Sequence, residues 1–192
     1  MSDYHDYLTR KSGLGSIYRS VFLFPKLKLE LRDMPTLDVG SGLGDFLFYA
    51  PLGSAGVDIN AKNVLHAQNN NLQVSLCTEY LPFADSTWEQ ILCDQVLEHL
   101  INPLVLIYEM KRILIPSGQI LLGVPGKKGF SRDPDHKKFI DHDSLYELMT
   151  SSGFEYISHF YYPLPSKRIG DHLRFQSLYM KFAKPLFYES SN

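Results

Sequence analysis

The chain has 192 residues, and its 19 basic side chains nearly balance 21 acidic ones, for a net charge of −2. That length suits one domain with its own core, and that balance gives no overall electrostatic drive toward nucleic acid. Cys77 and Cys93 form no CxxC pair, which argues against a zinc site or a disulfide framework. No apolar stretch approaches the roughly 18 residues of a membrane span, and the polar N-terminus lacks a signal-peptide core, so a cytoplasmic protein without an integral membrane segment is expected.

Residues 1–33 are rich in aromatics, among them Tyr4, Tyr7, Tyr18, Phe22 and Phe24. Leu14, Ile17, Tyr18 and Val21 recur at helical spacing. This predicts one or two helices capping a core that fills 34–192, as structural cover or as a lid over a ligand. Lys26, Lys28 and Arg32 read as a solvated face.

Thr36–Val39 reads as a first strand, Asp45–Ala50 as a short helix stopped by Pro51, and Ala55–Asp58 as a second strand. Asn60 is placed to cap a helix over Ala61–Gln68. Leu72, Val74 and Leu76 alternate as in a third strand, and Trp88–Cys93 reads as a fourth. Asn102-Pro103 opens a helix that runs to about Leu114. Pro116-Ser117-Gly118 is a turn, Gln119–Val124 a fifth strand, and Gly126–Lys138 a polar loop. Asp141 caps another helix with Gly153 just past its end, and Tyr156–Tyr162 reads as a sixth strand. Leu173–Phe182 fits a seventh strand or an amphipathic helix, the strand being favoured.

Between the first two strands, Gly40, Gly42 and Gly44 stand at alternate positions, with Asp38 before them and Asp58 closing the second strand. Strand, glycine turn, helix, strand, acid is the pattern of a nucleotide-binding βαβ unit. Glycine lets the backbone turn at positive φ close to a ligand, the helix end offers free N–H groups, and Asp58 can accept from ribose hydroxyls. The spacing is G-x-G-x-G, and Asp45 stands where a dinucleotide fingerprint has its third glycine. A negative side chain there suits a cationic or zwitterionic ligand better than a pyrophosphate.

The segments LDVGSGLG, GVDIN, EYLPFADSTWEQILCDQVLEHL, EMKRILIPSGQILLGVP and DHDSLYELMTSSGF stand in the order and at the separations of the type-11 class I S-adenosylmethionine-dependent methyltransferases, which the chain resembles over residues 36–160. The resemblance implies an α/β fold: a doubly wound, mostly parallel seven-stranded sheet in three α/β/α layers, with a C-terminal antiparallel hairpin. It implies S-adenosylmethionine as cofactor, S-adenosylhomocysteine as product, and no metal. It carries Gly40, Ser41, Gly42 and Gly44 beneath the methionine and ribose portion. Asp38 would orient this turn or hold the cofactor's amino group. Asp58 and Ile59 would meet the ribose, Thr78, Glu79 and Tyr80 the adenine, and Asp94 and Gln95 the methionine end. Relatives usually carry Asp where this chain has Cys77, a poor acceptor, so the adenine contact departs from the family pattern.

His99 follows the fourth strand and is the candidate catalytic base or substrate positioner. His136 and Tyr162 are candidate substrate contacts. Asp135, His136 and His142 read as metal ligands only weakly, because loops collect polar residues. The expected acceptor is a small molecule, a sugar or a lipid-linked intermediate, with no nucleic acid. An inactive binding module of the same fold is the alternative. An NAD-dependent oxidoreductase is disfavoured by the glycine spacing and Asp45.

Overall fold

In a computed structural model the described residues are 17–78, 80–166, 173 and 175–186. Tyr4, Tyr7, Leu14 and Glu79, singled out above, lie outside them. Seven strands form one sheet: β1 (Leu37–Val39), β2 (Ala55–Asp58), β3 (Val74–Leu76), β4 (Trp88–Asp94), β5 (Leu114–Pro125), β6 (Glu155–Tyr162) and β7 (Ser177–Ala183). Their order is β3-β2-β1-β4-β5-β7-β6. The first five run parallel, and β7 enters antiparallel between β5 and β6. The favoured reading of the last segment as a strand therefore holds, starting at Ser177.

Period-two alternation builds the layers. Ile91 and Cys93 of β4, Ile120 and Leu122 of β5, and Met180 and Phe182 of β7 join one buried cluster. Leu92, Leu121 and Tyr179, each adjacent to one of these in the chain and facing the other way, join another. The first cluster is covered by Ile107, Met110 and Ile113 of one helix (Leu104–Ile113) and by Leu145 and Met149 of another (His142–Ser151). The second is covered by Leu23, Phe24 and Leu27. Central strands buried on both faces read as continuous apolar runs, as Ile91-Leu92-Cys93 does.

The caps follow the sequence. The Asn60 side chain accepts from the Lys62 backbone at the start of the helix Ala61–Asn69. Asp141 and Ser144 form a reciprocal capping box.

Several local readings change, among them the polar loop Gly126–Lys138, which opens with a short helical turn, Lys127–Phe130. The helix predicted over Asp45–Ala50 is a single 3-10 turn, Asp45–Phe48. The turn at Pro116-Ser117-Gly118 exists, but inside β5: β5 advances from Leu114 to Gln119 while its partner β4 advances only from Trp88 to Gln90. Ser117, at φ 62°, donates there to the Lys184 carbonyl at 2.9 Å. The N-terminal stripe is also misphased. A π-helical turn, Arg19–Leu23, precedes the α-helix Phe24–Glu30, and its wider winding rotates the buried face. Ile17 and Val21, predicted inward, are exposed, whereas Leu23, Phe24 and Leu27 are buried. Nor is Lys26 simply solvated: it lies over the Phe160 ring and pairs with Glu30.

Candidate active site at the carboxyl ends of β1 and β4

The strand order reverses between β1 and β4, so their carboxyl ends diverge there and leave the crevice in which open α/β sheets bind ligands. The glycine turn leaves β1 at this point. The N–H groups of Gly40 and Ser41 both donate to the Val57 carbonyl, at 2.8 and 3.0 Å. Gly40 turns at φ +76°, and a Cβ there would stand 2.3 Å from Val96 Cγ2, on the segment that follows β4. No side chain fits between the two strand ends, so glycine is required.

Asp58 ties the turn to β2. It is 7% exposed. Its Oδ2 accepts from the Gly42 backbone at 2.8 Å, and its Oδ1 accepts from the Asn60 backbone at 2.8 Å and the Asn63 amide at 3.2 Å. A carboxylate offers about four lone-pair sites, so it keeps capacity for a further donor. Ile59 beside it is exposed, as are Thr78 and Tyr80. The Cys77 backbone donates to the Asp58 carbonyl at 3.0 Å and holds that loop against β2. Burial, and then the charge of Asp58, raise the Cys77 thiol, so it stays protonated and remains a poor acceptor.

The interior of the crevice is rich in carboxylates. Asp38 is 5% exposed, and its pKa is pushed up to about 8, first by burial and then by Asp94, with Asp58 and Asp45 adding to the shift and Arg19 opposing it. Burial likewise raises Asp94, against Arg19, the Tyr179 hydroxyl and Gln95. Arg19 Nη2 stands 3.5 Å from Asp94 Oδ2. Gly123, opposite Asp94 on β5, makes room: a Cβ there would lie 2.2 Å from Asp94 Oδ1. Gln95, at φ 59°, turns the chain out of the sheet, and its side chain reaches Ser177 Oγ at 3.4 Å.

Two histidines predicted for different duties meet. The rings of His99 and His136 stand edge to face with centroids 4.7 Å apart. Burial, and then the neighbouring His136, lower the His99 pKa. Between them the sequence reading missed Glu98, whose side chain is 0% exposed and stands 3.8 Å from His136 Nε2. The three ligand atoms of Glu98, His99 and His136 lie within 4.8 Å of one another. The weak metal set of Asp135, His136 and His142 does not converge: His142 instead pairs with Asp143 at 2.8 Å and packs on the His159 ring. Tyr162 donates to the Phe22 carbonyl at 3.0 Å and joins an aromatic group with Tyr18, which stacks on Phe175. Arg19, which the sequence reading missed, reaches the site from the N-terminal helix, as does Tyr18, read there as part of the helical cover or lid. The only sequence signal for Arg19 was the aromatic density of that segment.

Comparison with known proteins agrees with this geometry. Residues 37–122 match the family described as a methyltransferase domain. The ubiquinone biosynthesis O-methyltransferase of Rickettsia typhi is 23% identical over 187 residues, covering 79% of this chain and 75% of that enzyme. The tRNA U34 carboxymethyltransferase of Campylobacter curvus is 30% identical over 111 residues, but these cover 52% of this chain and only 37% of that enzyme. Among solved structures, a chain of the complex between the Haloferax volcanii Trm112 methyltransferase activator and a methyltransferase superposes with a TM-score of 0.74 at 16% identity, covering 96% of this chain and 99% of that one.

Fold, crevice and relatives together define a class I S-adenosylmethionine-dependent methyltransferase. Residues 37–122 carry the match to the methyltransferase-domain family, and S-adenosylmethionine-dependent enzymes stand among both the curated relatives and the structural neighbours.

One expectation is overturned. The exclusion of nucleic acid, with an acceptor confined to small molecules, sugars or lipid-linked intermediates, does not stand beside relatives named for tRNA U34 and a structural neighbour that assembles with a protein activator. Net charge described the whole surface, whereas an acceptor is read by one local face.

Proposed function

We propose that the chain transfers the methyl group of S-adenosylmethionine to an oxygen or nitrogen of an acceptor by in-line displacement, in the crevice between β1 and β4. The observation that carries this reading is Asp58, a buried carboxylate that already holds Gly42, Asn60 and Asn63 at the exit of the glycine turn. Gly40, Ser41, Gly42 and Gly44 would lie beneath the methionine and ribose, and Asp58 would accept from the ribose hydroxyls. Ile59, Thr78 and Tyr80 would flank the adenine.

Charge supports this choice of ligand. Asp38 and Asp94 are buried near each other with Arg19 as the cation that opposes their mutual repulsion. S-adenosylmethionine brings two positive groups, a sulfonium and an α-ammonium. Set beside these carboxylates, both are favoured far more than in water, because the site has low effective dielectric.

In the transfer step the acceptor lone pair forms a bond to the methyl carbon as the carbon–sulfur bond breaks and its electron pair stays on sulfur. The leaving group is already activated, so the protein's task is alignment, which can supply roughly 7–11 kcal/mol. Gln95 and Asp94 would fix the methionine end. His99 and His136 would hold the acceptor on the far side of the methyl. The N-terminal helix, through Tyr18 and Arg19 with Tyr162 behind them, would wall the acceptor side. The relatives span O-methylation in ubiquinone biosynthesis and tRNA U34 carboxymethylation, so the reading extends to the transfer and its cofactor and leaves the acceptor class open.

The test is calorimetry with S-adenosylhomocysteine on wild type and Asp58→Ala, followed by a screen of acceptors for S-adenosylhomocysteine release. Micromolar binding that Asp58→Ala abolishes is expected. Absence of binding by folded wild type would overturn the proposal.

A further inference from the structure

We propose that Glu98, His99 and His136 form a site for one divalent transition-metal ion at the acceptor end of the crevice. The location rests on the reading above; the site itself rests on the following geometry.

Glu98 is a buried acid in unusual company. Its side chain is fully buried, and neither carboxylate oxygen has a hydrogen-bond partner among the described residues. A buried carboxylate without donors is among the costlier arrangements a fold can hold. The obvious donor is His136, but His136 is already committed. Its Nδ1 stands 2.8 Å from the Phe130 carbonyl. A carbonyl only accepts, so Nδ1 carries the proton in the neutral ring, and Nε2 presents a lone pair to Glu98 Oε1 at 3.8 Å. Glu98 Oε1 and His136 Nε2 thus stand on either side of a gap that a cation would fill.

The surroundings fit a metal-ligand set. Metal-bound histidines commonly donate their second nitrogen to a backbone carbonyl, which fixes the tautomer. His136 does so to Phe130, whose ring also stacks on it at 5.1 Å. The His99 ring is hydrogen-bonded to the backbone of Asp135. The loop carrying His136 is anchored to Glu98 itself: the Lys137 and Lys138 N–H groups donate to the Glu98 carbonyl at 2.7 and 3.2 Å. The three ligands therefore share a frame, although His136 lies far along the chain from the other two. Ligand atoms within 4.8 Å need only rotamer adjustment to reach the roughly 3.3 Å separation set by metal–ligand bonds of about 2.0–2.1 Å.

Two imidazoles and one carboxylate select the ion. They suit zinc, iron, cobalt or manganese better than magnesium or calcium, which prefer all-oxygen shells. Three protein ligands leave open positions, the mark of a catalytic rather than a structural site. An acceptor hydroxyl bound there would lose its proton to solvent and present its oxygen to the methyl carbon. The ion neither gains nor loses an electron. The expectation of a metal-free enzyme, drawn from the family pattern, is replaced by this site. His99 becomes a ligand that holds the acceptor through the ion.

The test uses the full chain stripped with chelator and titrated with cobalt(II), read by its visible d–d absorption, and with zinc(II) by calorimetry, both without cofactor. One equivalent is expected to bind. Glu98→Gln and His136→Ala should each weaken binding at least tenfold, while His159→Ala, in the separate His142–His159 pair, should leave it unchanged. Binding of S-adenosylhomocysteine by each variant reports that its fold survives and tests the cofactor reading separately. No saturable cobalt or zinc binding by folded wild type would overturn the proposal. So would binding that survives Glu98→Gln, or that His159→Ala removes.

Discussion

Replacing Asp38 by Asn should make the unliganded protein more stable, by an amount that grows with pH. In the folded chain the Asp38 pKa stands at about 8, against about 3.9 in an unfolded one. Below pH 4 both states hold the proton and Asp38 stabilises fully as a neutral acid. As pH rises from 4 to 8 the unfolded chain releases the proton and the folded chain retains it, so stability falls. Above 8 the loss is complete. At about 1.4 kcal/mol per unit the whole window is worth at most roughly 6 kcal/mol. Asp94 is raised too, and the two titrate as a pair, so the share assigned to Asp38 is smaller. Asn has nothing to titrate. Urea unfolding of wild type and Asp38→Asn at pH 5, 6.5 and 8 should show a gap widening by about 2 kcal/mol or more. S-adenosylhomocysteine, which supplies an ammonium beside the pair, should narrow the gap. Stability curves that run parallel across this range would show that Asp38 is not held protonated and would remove the electrostatic argument for a cationic ligand.

Other expectations concern single positions. Asp58→Ala strips three backbone and side-chain donors of their acceptor; at about 1.5–3 kcal/mol for each bond to a charged group, partly recovered by water, it should lower stability by about 2–4 kcal/mol in urea unfolding and weaken S-adenosylhomocysteine at least a hundredfold in calorimetry. Gly40→Ala forces a Cβ to 2.3 Å from Val96 at a left-handed backbone angle, so cofactor affinity should drop at least tenfold, with helical circular dichroism unchanged. Asp141→Ala removes the capping box: it should cost about 1 kcal/mol of stability and leave cofactor affinity intact, which makes it a control for general destabilisation.

What the sequence made legible was local. The glycine turn, Asp58 and the caps at Asn60 and Asp141 each depend on residues a few positions apart, and each stands where expected. The one strand face read from alternation, Leu72, Val74 and Leu76, was only partly right: Val74 is buried and Leu76 is exposed. The N-terminal stripe was misread in part because a stripe assumes uniform winding: the π turn Arg19–Leu23 shifts the side chains within and after it, while Ile17, ahead of the turn, is exposed as well. Glu98 escaped because its meaning is long-range. Beside His99 it reads as an ordinary acid, and only the return of the chain at His136 turns the pair into a cluster. Arg19 escaped for the same reason: nothing near it in the chain announces Asp94. The acceptor was misjudged because total charge averages over surfaces that never meet a ligand.

The bond from Gly42 to Asp58 has a consequence for how ligand is taken up. The loop is held in place by Asp58, the residue proposed to grip the ribose, before any nucleoside arrives. Little chain freedom is then left to freeze on association. Uptake should accordingly be rapid, with calorimetric entropy close to that of a rigid receptor, and the slow events of turnover should fall on the acceptor side.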